Sequence, residues 1–340
     1  MRKRLAAALI ALTMLVSGCA SVSVDYSEYA PDASERLVIY TSHKPEVYSP
    51  IIAEFEKRTG IWVTVVDGGT GELLDRIADE SKSGVFECDV MFGGGVESLD
   101  SCRDYFEPYK SSELENVSPL FRSTGGEWTP FSSLPLVFVY NPKLVSENSF
   151  TGWRDLIDPR WKGKIAFADP SVSGSSYTAL YTMLRILGGG DRTISLFYNN
   201  LDSRQLSSSA DVVQSVADGT FLFGVTLEET ALKRINDGEN IQMLYPSEGT
   251  SAVPDAAALI KGAQNSKNAA LFLDFILSRD VQSLIADSFS RRSVRFDVPS
   301  AALLVPENEL SIINYDISQA GAKRESILAY WTGLGEGGAQ

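Results

Sequence analysis

Apolar residues fall into two alternating patterns along the chain. Short β-branched and aromatic runs suit a pleated surface, and each is followed by apolar residues three and four positions apart, the spacing of one helix face. The runs at 37–40, 61–66 and 89–92 predict three strands. Pro50, Ile51, Ile52 and Phe55 predict a helix after the first, stopped by Gly60. Leu73, Leu74, Ile77 and Ala78 predict a second helix, and a third starts near Val96. The pattern loosens between Tyr105 and Pro130. It resumes with an apolar run at 134–142, then loosens again around Trp153 and Trp161. Beyond lie predicted strands at 164–168, 221–225 and 256–260. Helices are predicted at 177–187 (stopped by Gly188, Gly189 and Gly190), 212–217, through Ile235, 269–277, 281–289 and 323–331. Such alternation predicts an α/β fold with mostly parallel sheets, and no internal repeat is present.

Five predicted strand ends carry small, polar, donor-rich turns: Thr41-Ser42-His43, Gly68 to Glu72, Gly93 to Gly95, Ser171 to Ser176, and Thr226 to Glu229. Ligands of open α/β sheets sit outside the carboxyl ends of the strands. Glycine turns that open into helices also bring backbone N–H groups and the positive end of the helix dipole close to an anion. The candidate ligand contacts are therefore Ser42, His43, Gly69, Thr70, Gly71, Gly94, Gly95, Ser173, Gly174, Ser175, Ser176, Thr226 and Glu228. Each turn also has a purely structural reading. Thr226 with Glu229 forms a capping-box pattern, Ser173 to Ser176 suit N-caps, and a lone histidine is commonly a hydrogen-bonded core residue. Five turns on one sheet edge together favour a small anionic or polyhydroxylated ligand. Three of them precede the Tyr140 region and two follow it, so a crossover there sets the two groups on opposite walls of a cleft.

The 340-residue chain is long enough for two lobes, each with its own core. Its formal net charge is −14, and losing the leader (charged only at Arg2, Lys3 and Arg4) makes it three more negative. That balance argues against nucleic acid as a partner and means an anion must be held by local donors. Residues 1–18 read as a signal peptide, with a basic start and an apolar stretch too short to span a bilayer. Val16-Ser17-Gly18-Cys19 resembles the bacterial lipobox, which implies lipidation of Cys19, with 19–35 as a tether. Cys88 and Cys102 are candidates for a disulfide outside the cytoplasm, with two buried free thiols as the alternative. The strand-end turns carry no Walker A loop or GxGxxG, and no GxSxG elbow or metal-ligand spacing is present, which disfavours the rival reading of a phosphate-ester hydrolase.

The stretches LVIYTSHKPEVYSPIIAEFEKRTG, WVTVVDGGTGELLDRI, CDVMFGGGVESLD, VFVYNPKLV, IAFADPSVSGSSYTAL, LYPSEGTSAVPDAAALIKGAQN and RRSVRFDVP resemble the solute-binding components of ABC importers. The branch is that of ferric-iron binders and their phosphonate and sugar-phosphate relatives. The resemblance implies a bilobal type II periplasmic-binding fold with two mixed, mostly parallel sheets and hinge crossovers near 137–141 and 249–256. Lobe 1 is expected over 36–138 plus 254–340 and lobe 2 over 139–253. Ferric-iron members use a tyrosine pair after the strand matching 221–225. Here that stretch reads Thr226-Leu227-Glu228-Glu229, although His43 matches the iron histidine. The resemblance thus implies capture of a small organophosphate or phosphonate of the sugar-phosphate class, with ferric iron as the alternative. His43 and Glu228 are then expected to meet ligand hydroxyls or an amine. No metal and no cofactor is expected. The implied partners are the permease and ATPase subunits and a membrane lipid anchor, on a monomer that is periplasmic or at the cell surface.

Overall fold

The computed structural model describes residues 31–300, 304–306 and 309–336. The signal peptide, Cys19 and nearly all of the tether lie outside the described residues. Strands β1 (Arg36–Thr41), β2 (Trp62–Asp67) and β3 (Val90–Gly95) alternate with helices α1 (Pro45–Thr59), α2 (Thr70–Ser83) and α3 (Val96–Ser101). The long β4 (Thr129–Tyr140) leads to the short β5 (Ile165–Ala166), then α4 (Gly174–Leu187), α5 (Gly190–Leu201) and α6 (Ser209–Ala217). Next come β6 (Phe223–Leu227), α7 (Glu228–Asn236), β7 (Gln242–Leu244) and β8 (Ala252–Leu259). The chain closes with α8 (Ser266–Leu277), α9 (Arg279–Phe289), β9 (Arg292–Ser293) and α10 (Ile317–Glu336). Among the described residues no helix is long and apolar enough to cross a membrane.

The strand order is β2-β1-β3-β8-β4-β6-β5, with β7 and β9 also on β4. β1 pairs in parallel with β2 and β3, and β5 with β6. Every antiparallel pair involves β4 or β8, the two strands that join the halves. Along β4 the partner changes from β8 at Pro135 to β6 at Leu136. The first crossing therefore lies just before the expected 137–141, because the apolar run begins pairing at Thr129. The second crossing runs beside it, where Leu136 N–H donates to Ser251 O at 3.2 Å and Thr250 Oγ1 donates to Leu136 O at 2.7 Å.

Each half buries its own core. Leu37, Ile39, Ile51, Phe55, Phe92 and Phe272 fill one face of the first sheet, and Tyr40, Leu73, Ile77, Met91 and Leu99 the other. Phe138, Phe150, Trp153, Trp161, Phe167 and Phe223 build the second core. α10 departs from expectation. It begins against α3 of the first half, with Gly321 close over the Glu97 carbonyl, and ends with Trp331 in the core of the second half. Residues 254–340 are therefore not all part of lobe 1; α10 is a strap across both. The reason is local, since Trp331 is 1 % exposed and fits between Phe167, Phe197 and Tyr198.

Other boundaries also shift. Pro45, at the first turn, starts α1 five residues before Pro50. The glycines at 93–95 extend β3 instead of ending it, and α5 follows directly on the glycines that stop α4. The Cys88–Cys102 disulfide is not formed. Cys88 is buried in the first core with its thiol on Val90 O at 3.3 Å, while Cys102 lies 3.7 Å from Ser101 Oγ at the end of α3. Both cysteines belong to the same core cluster, Cys88 within it and Cys102 packed against it, as free thiols.

Candidate functional site

A cavity of about 600 Å³ opens between the two halves at the carboxyl ends of the strands. The first half contributes the corner after β1. Thr41 Oγ1 donates to Phe92 O at 2.7 Å and accepts from His43 N–H at 3.1 Å, which turns Ser42 and His43 into the cleft. The His43 ring lies 4.5 Å from Phe92 and 5.4 Å from Phe131, centroid to centroid. Gly93 has a φ of +110°, and a Cβ there would sit 2.7 Å from Ser42 Oγ, so the corner requires glycine. Gly94, with φ of +88°, is held as closely by Thr70, whose Cγ2 would lie 2.7 Å from an added Cβ. Gly69, Thr70, Gly94 and Gly95 complete this wall.

Gly174, Ser175, Thr178, Ser209, Glu229 and Lys233 form the opposite wall. Two helix starts border the cavity without side-chain caps. α2 is preceded by Gly69, which has no side chain to offer. The Ser173 hydroxyl before α4 meets those of Ser175 at 3.2 Å and Ser176 at 3.1 Å instead of a backbone N–H. At α4 the N–H groups of Gly174 and Ser175 thus remain for an occupant, as do those that open α2, at the positive ends of their dipoles, while Ser176 N–H donates to Ser173 O at 3.2 Å.

A charged cluster lines the hinge side. Asp255 on β8 accepts from Ser132 N–H at 2.8 Å, Ser132 Oγ at 2.6 Å and Arg291 Nη1 at 2.6 Å. His43 Nε2 stands 3.5 Å from the same carboxylate. Burial pushes the imidazole down to about 4, outweighing the upward pull of Asp255, while Arg291 adds to the depression. His43 is therefore neutral near pH 7. Across the cleft, Arg291 Nη2 lies 3.5 Å from Glu229, and Lys233 reaches Glu46 of α1 at 2.7 Å on the rim.

The structure gathers Ser42, His43, Gly69, Thr70, Gly94, Gly95, Gly174 and Ser175 in this one cavity. It does not place Gly71, Ser173, Ser176, Thr226 or Glu228 on its wall. Gly71 faces solvent one residue into α2, and Ser173 and Ser176 bond each other. Thr226 is buried on Ser209 O at 3.4 Å and forms no capping box. Glu228 is consumed by a buried ion pair. Arg292 donates to it from Nε at 2.7 Å and Nη2 at 2.9 Å, and the Tyr245 hydroxyl donates as well. Its neighbour Glu229 faces the cleft instead. Sequence reasoning missed Asp255, Arg291 and Thr178. The Arg291-Arg292-Ser293 run was the one visible signal, since adjacent arginines before a strand need carboxylate partners.

A profile for the family described as bacterial extracellular solute-binding protein matches residues 89–320. This chain belongs to that family. The solute-binding protein resembles AfuA from Actinobacillus pleuropneumoniae, solved with exogenous fructose-6-phosphate bound, with a TM-score of 0.80 and 25% identity over 88% of this chain and 98% of that one. Its fold is that of the periplasmic binding proteins. By sequence it is 25% identical to Iron uptake protein A1 of Synechocystis sp., over 84% of this chain and 83% of that protein. It is also 24% identical to the Fe(3+)-binding periplasmic protein of Serratia marcescens, over 92% and 95%. Family membership makes it a binding protein rather than an enzyme.

Proposed function

We propose that this solute-binding protein serves an ABC importer by capturing a small organophosphate or phosphonate of the sugar-phosphate class between its two lobes. The observation that carries the reading is the convergence of the uncapped starts of α2 and α4, with the hydroxyls of Ser42, Thr70 and Ser175, on one cavity. Backbone N–H groups and hydroxyls at two dipole ends suit a phosphoryl or phosphonyl group. A hard ferric ion needs several anionic donors, and there is no tyrosine among the described lining residues. The proposal includes lobes joined at about 135 and 252 that close like a hinge on the ligand. It also includes a monomer held at the membrane through Cys19 and handing its ligand to the permease and ATPase subunits.

Calorimetric titration with fructose 6-phosphate, inorganic phosphate and ferric citrate tests the ligand class. Hydrogen bonds to a charged group contribute about 1.5–3 kcal/mol each. Ser175→Ala is thus expected to weaken organophosphate binding roughly tenfold or more. Ser175→Asp should abolish it by placing a carboxylate against the anion. Ferric binding with a visible tyrosinate-to-iron band, together with indifference to both substitutions, would put the iron reading first.

A further inference from the structure

Behind the cleft, where lobe, lobe and strap meet, sits a carboxyl group that the cavity itself does not use. Glu97, on α3, is fully buried. Its Oε1 is hydrogen-bonded to Thr178 Oγ1 on α4 of the opposite half and lies 3.5 Å from the Tyr315 hydroxyl just before α10. Its Oε2 has no hydrogen-bond partner among the described residues. That oxygen would lie 2.7 Å from a Cβ at Gly95, so the glycine of the cavity wall leaves it room. Thr178 Oγ1 is also 3.2 Å from the carbonyl oxygen of Gly174, in the turn that opens α4.

We propose that Glu97 is a positioning residue for ligand capture, setting the Gly174–Ser175 turn against the opposite lobe through a chain from its carboxyl to Thr178 Oγ1 to the Gly174 carbonyl. The proposal rests on that turn being the anion site. Thr178 has one hydroxyl proton. If Thr178 spends it on a charged Glu97, the Gly174 carbonyl receives nothing from this side chain. If Glu97 carries a proton, it donates to Thr178 Oγ1 and Thr178 donates to Gly174 O, so each member of the chain is served. The surroundings agree with the second arrangement, since burial pushes the Glu97 carboxyl up. The groups that face it are Tyr177 of α4, Tyr315 before α10, and Arg324 of α10. Burial raises both phenols, so they stay uncharged; the hydrogen bonds from Thr178, the Glu97 backbone and Tyr315, together with the charge of Arg324, favour the carboxylate, and burial outweighs them.

Opening the cleft parts Glu97 from Thr178 and lets water reach it, which returns the carboxyl toward its ordinary range of about 4.3. The closed form therefore holds this proton more tightly than the open one. Closure is helped fully below the open-form value, and the help is lost as pH rises through the raised closed-form value. His43, Asp255 and Arg291 on the hinge side are the same in a Glu97 variant, so a difference between variant and wild type isolates this carboxyl.

The experiment measures the radius of gyration by small-angle scattering on the full chain, across about pH 5 to 8, without ligand and with saturating fructose 6-phosphate. Wild type should be more compact toward the acid end. Glu97→Gln, uncharged at every pH, should be equally compact throughout and bind fructose 6-phosphate within about threefold of wild type. Glu97→Ala should stay expanded and bind at least tenfold more weakly. An Ala variant as compact as wild type, or a Gln variant following the wild-type pH curve, overturns the proposal. If Glu97→Ala fails to fold, as its thermal midpoint will show, the Gln comparison decides alone. If fructose 6-phosphate does not bind wild type, the ligand class is wrong, and the ligand-free scattering still judges Glu97.

Discussion

His43 is the sole imidazole in the sequence, so its protonation can be followed without assignment. Its ring signals should not titrate until about pH 4, because burial opposes the charged form. A midpoint near the ordinary value of about 6.5 would show that solvent reaches the ring. The sign for stability follows. A histidine depressed in the fold leaves the protein most stable above about 6.5, with stability lost as pH falls toward the folded value. Denaturant titration across that window should show a steeper loss in wild type than in His43→Gln, because carboxylates held low, such as Asp155 and Asp211, lose stabilisation on acidification in both. His43 was legible because it follows a strand end. Asp255 and Arg291 were not, for they come from distant segments that meet only because β8 sits beside β4 at the centre of the sheet. Glu228 and Glu229 could not be told apart either. Which one turns inward depends on where Arg292 stands, and that is a fact of tertiary structure.

Among the elements, the glycine turns were readable in kind, since only small residues let backbone approach a ligand, but not in extent. The stretch 93–95 looked like an ending because glycine disfavours strands. It continues β3 because the register slips against β8 between Phe92 and Gly95 and absorbs the unusual backbone. Gly94→Ala should cost about 1–3 kcal/mol, from a strained φ and a clash with Thr70, and should weaken ligand binding by moving the start of α2. Denaturation and calorimetry on the same variant check both effects. α5 was invisible because Gly188, Gly189 and Gly190 read as a stop; they end one helix and begin the next. Cys88 and Cys102 should each react with Ellman's reagent once the mature protein is unfolded without reductant. Silence from both would mean that a bridge forms after all.

At the scale of the whole molecule, two lobes were foreseeable from five turns split around an apolar run, whereas the strap was not, because a terminal helix carries no mark of what it will lie on. Near the hinge, the Arg292–Glu228 pair ties β9 to α7 with both side chains 1 % exposed. Removing one partner, as in Glu228→Ala, should cost about 3–5 kcal/mol by stranding the other charge. Replacing both with apolar residues of similar size should cost far less, and equilibrium denaturation of the two variants compares them. The strap has a consequence for the order in which the chain is made. Nearly everything the second core needs lies between residues 136 and 245, so that unit can begin to condense while the carboxyl end is still being synthesised. Its gap stays open until Trp331 arrives, roughly ninety residues later, and domains left incomplete in this way expose apolar surface to other chains. The arrival of α10 thus ends the period in which the second core of a nascent copy is vulnerable to aggregation.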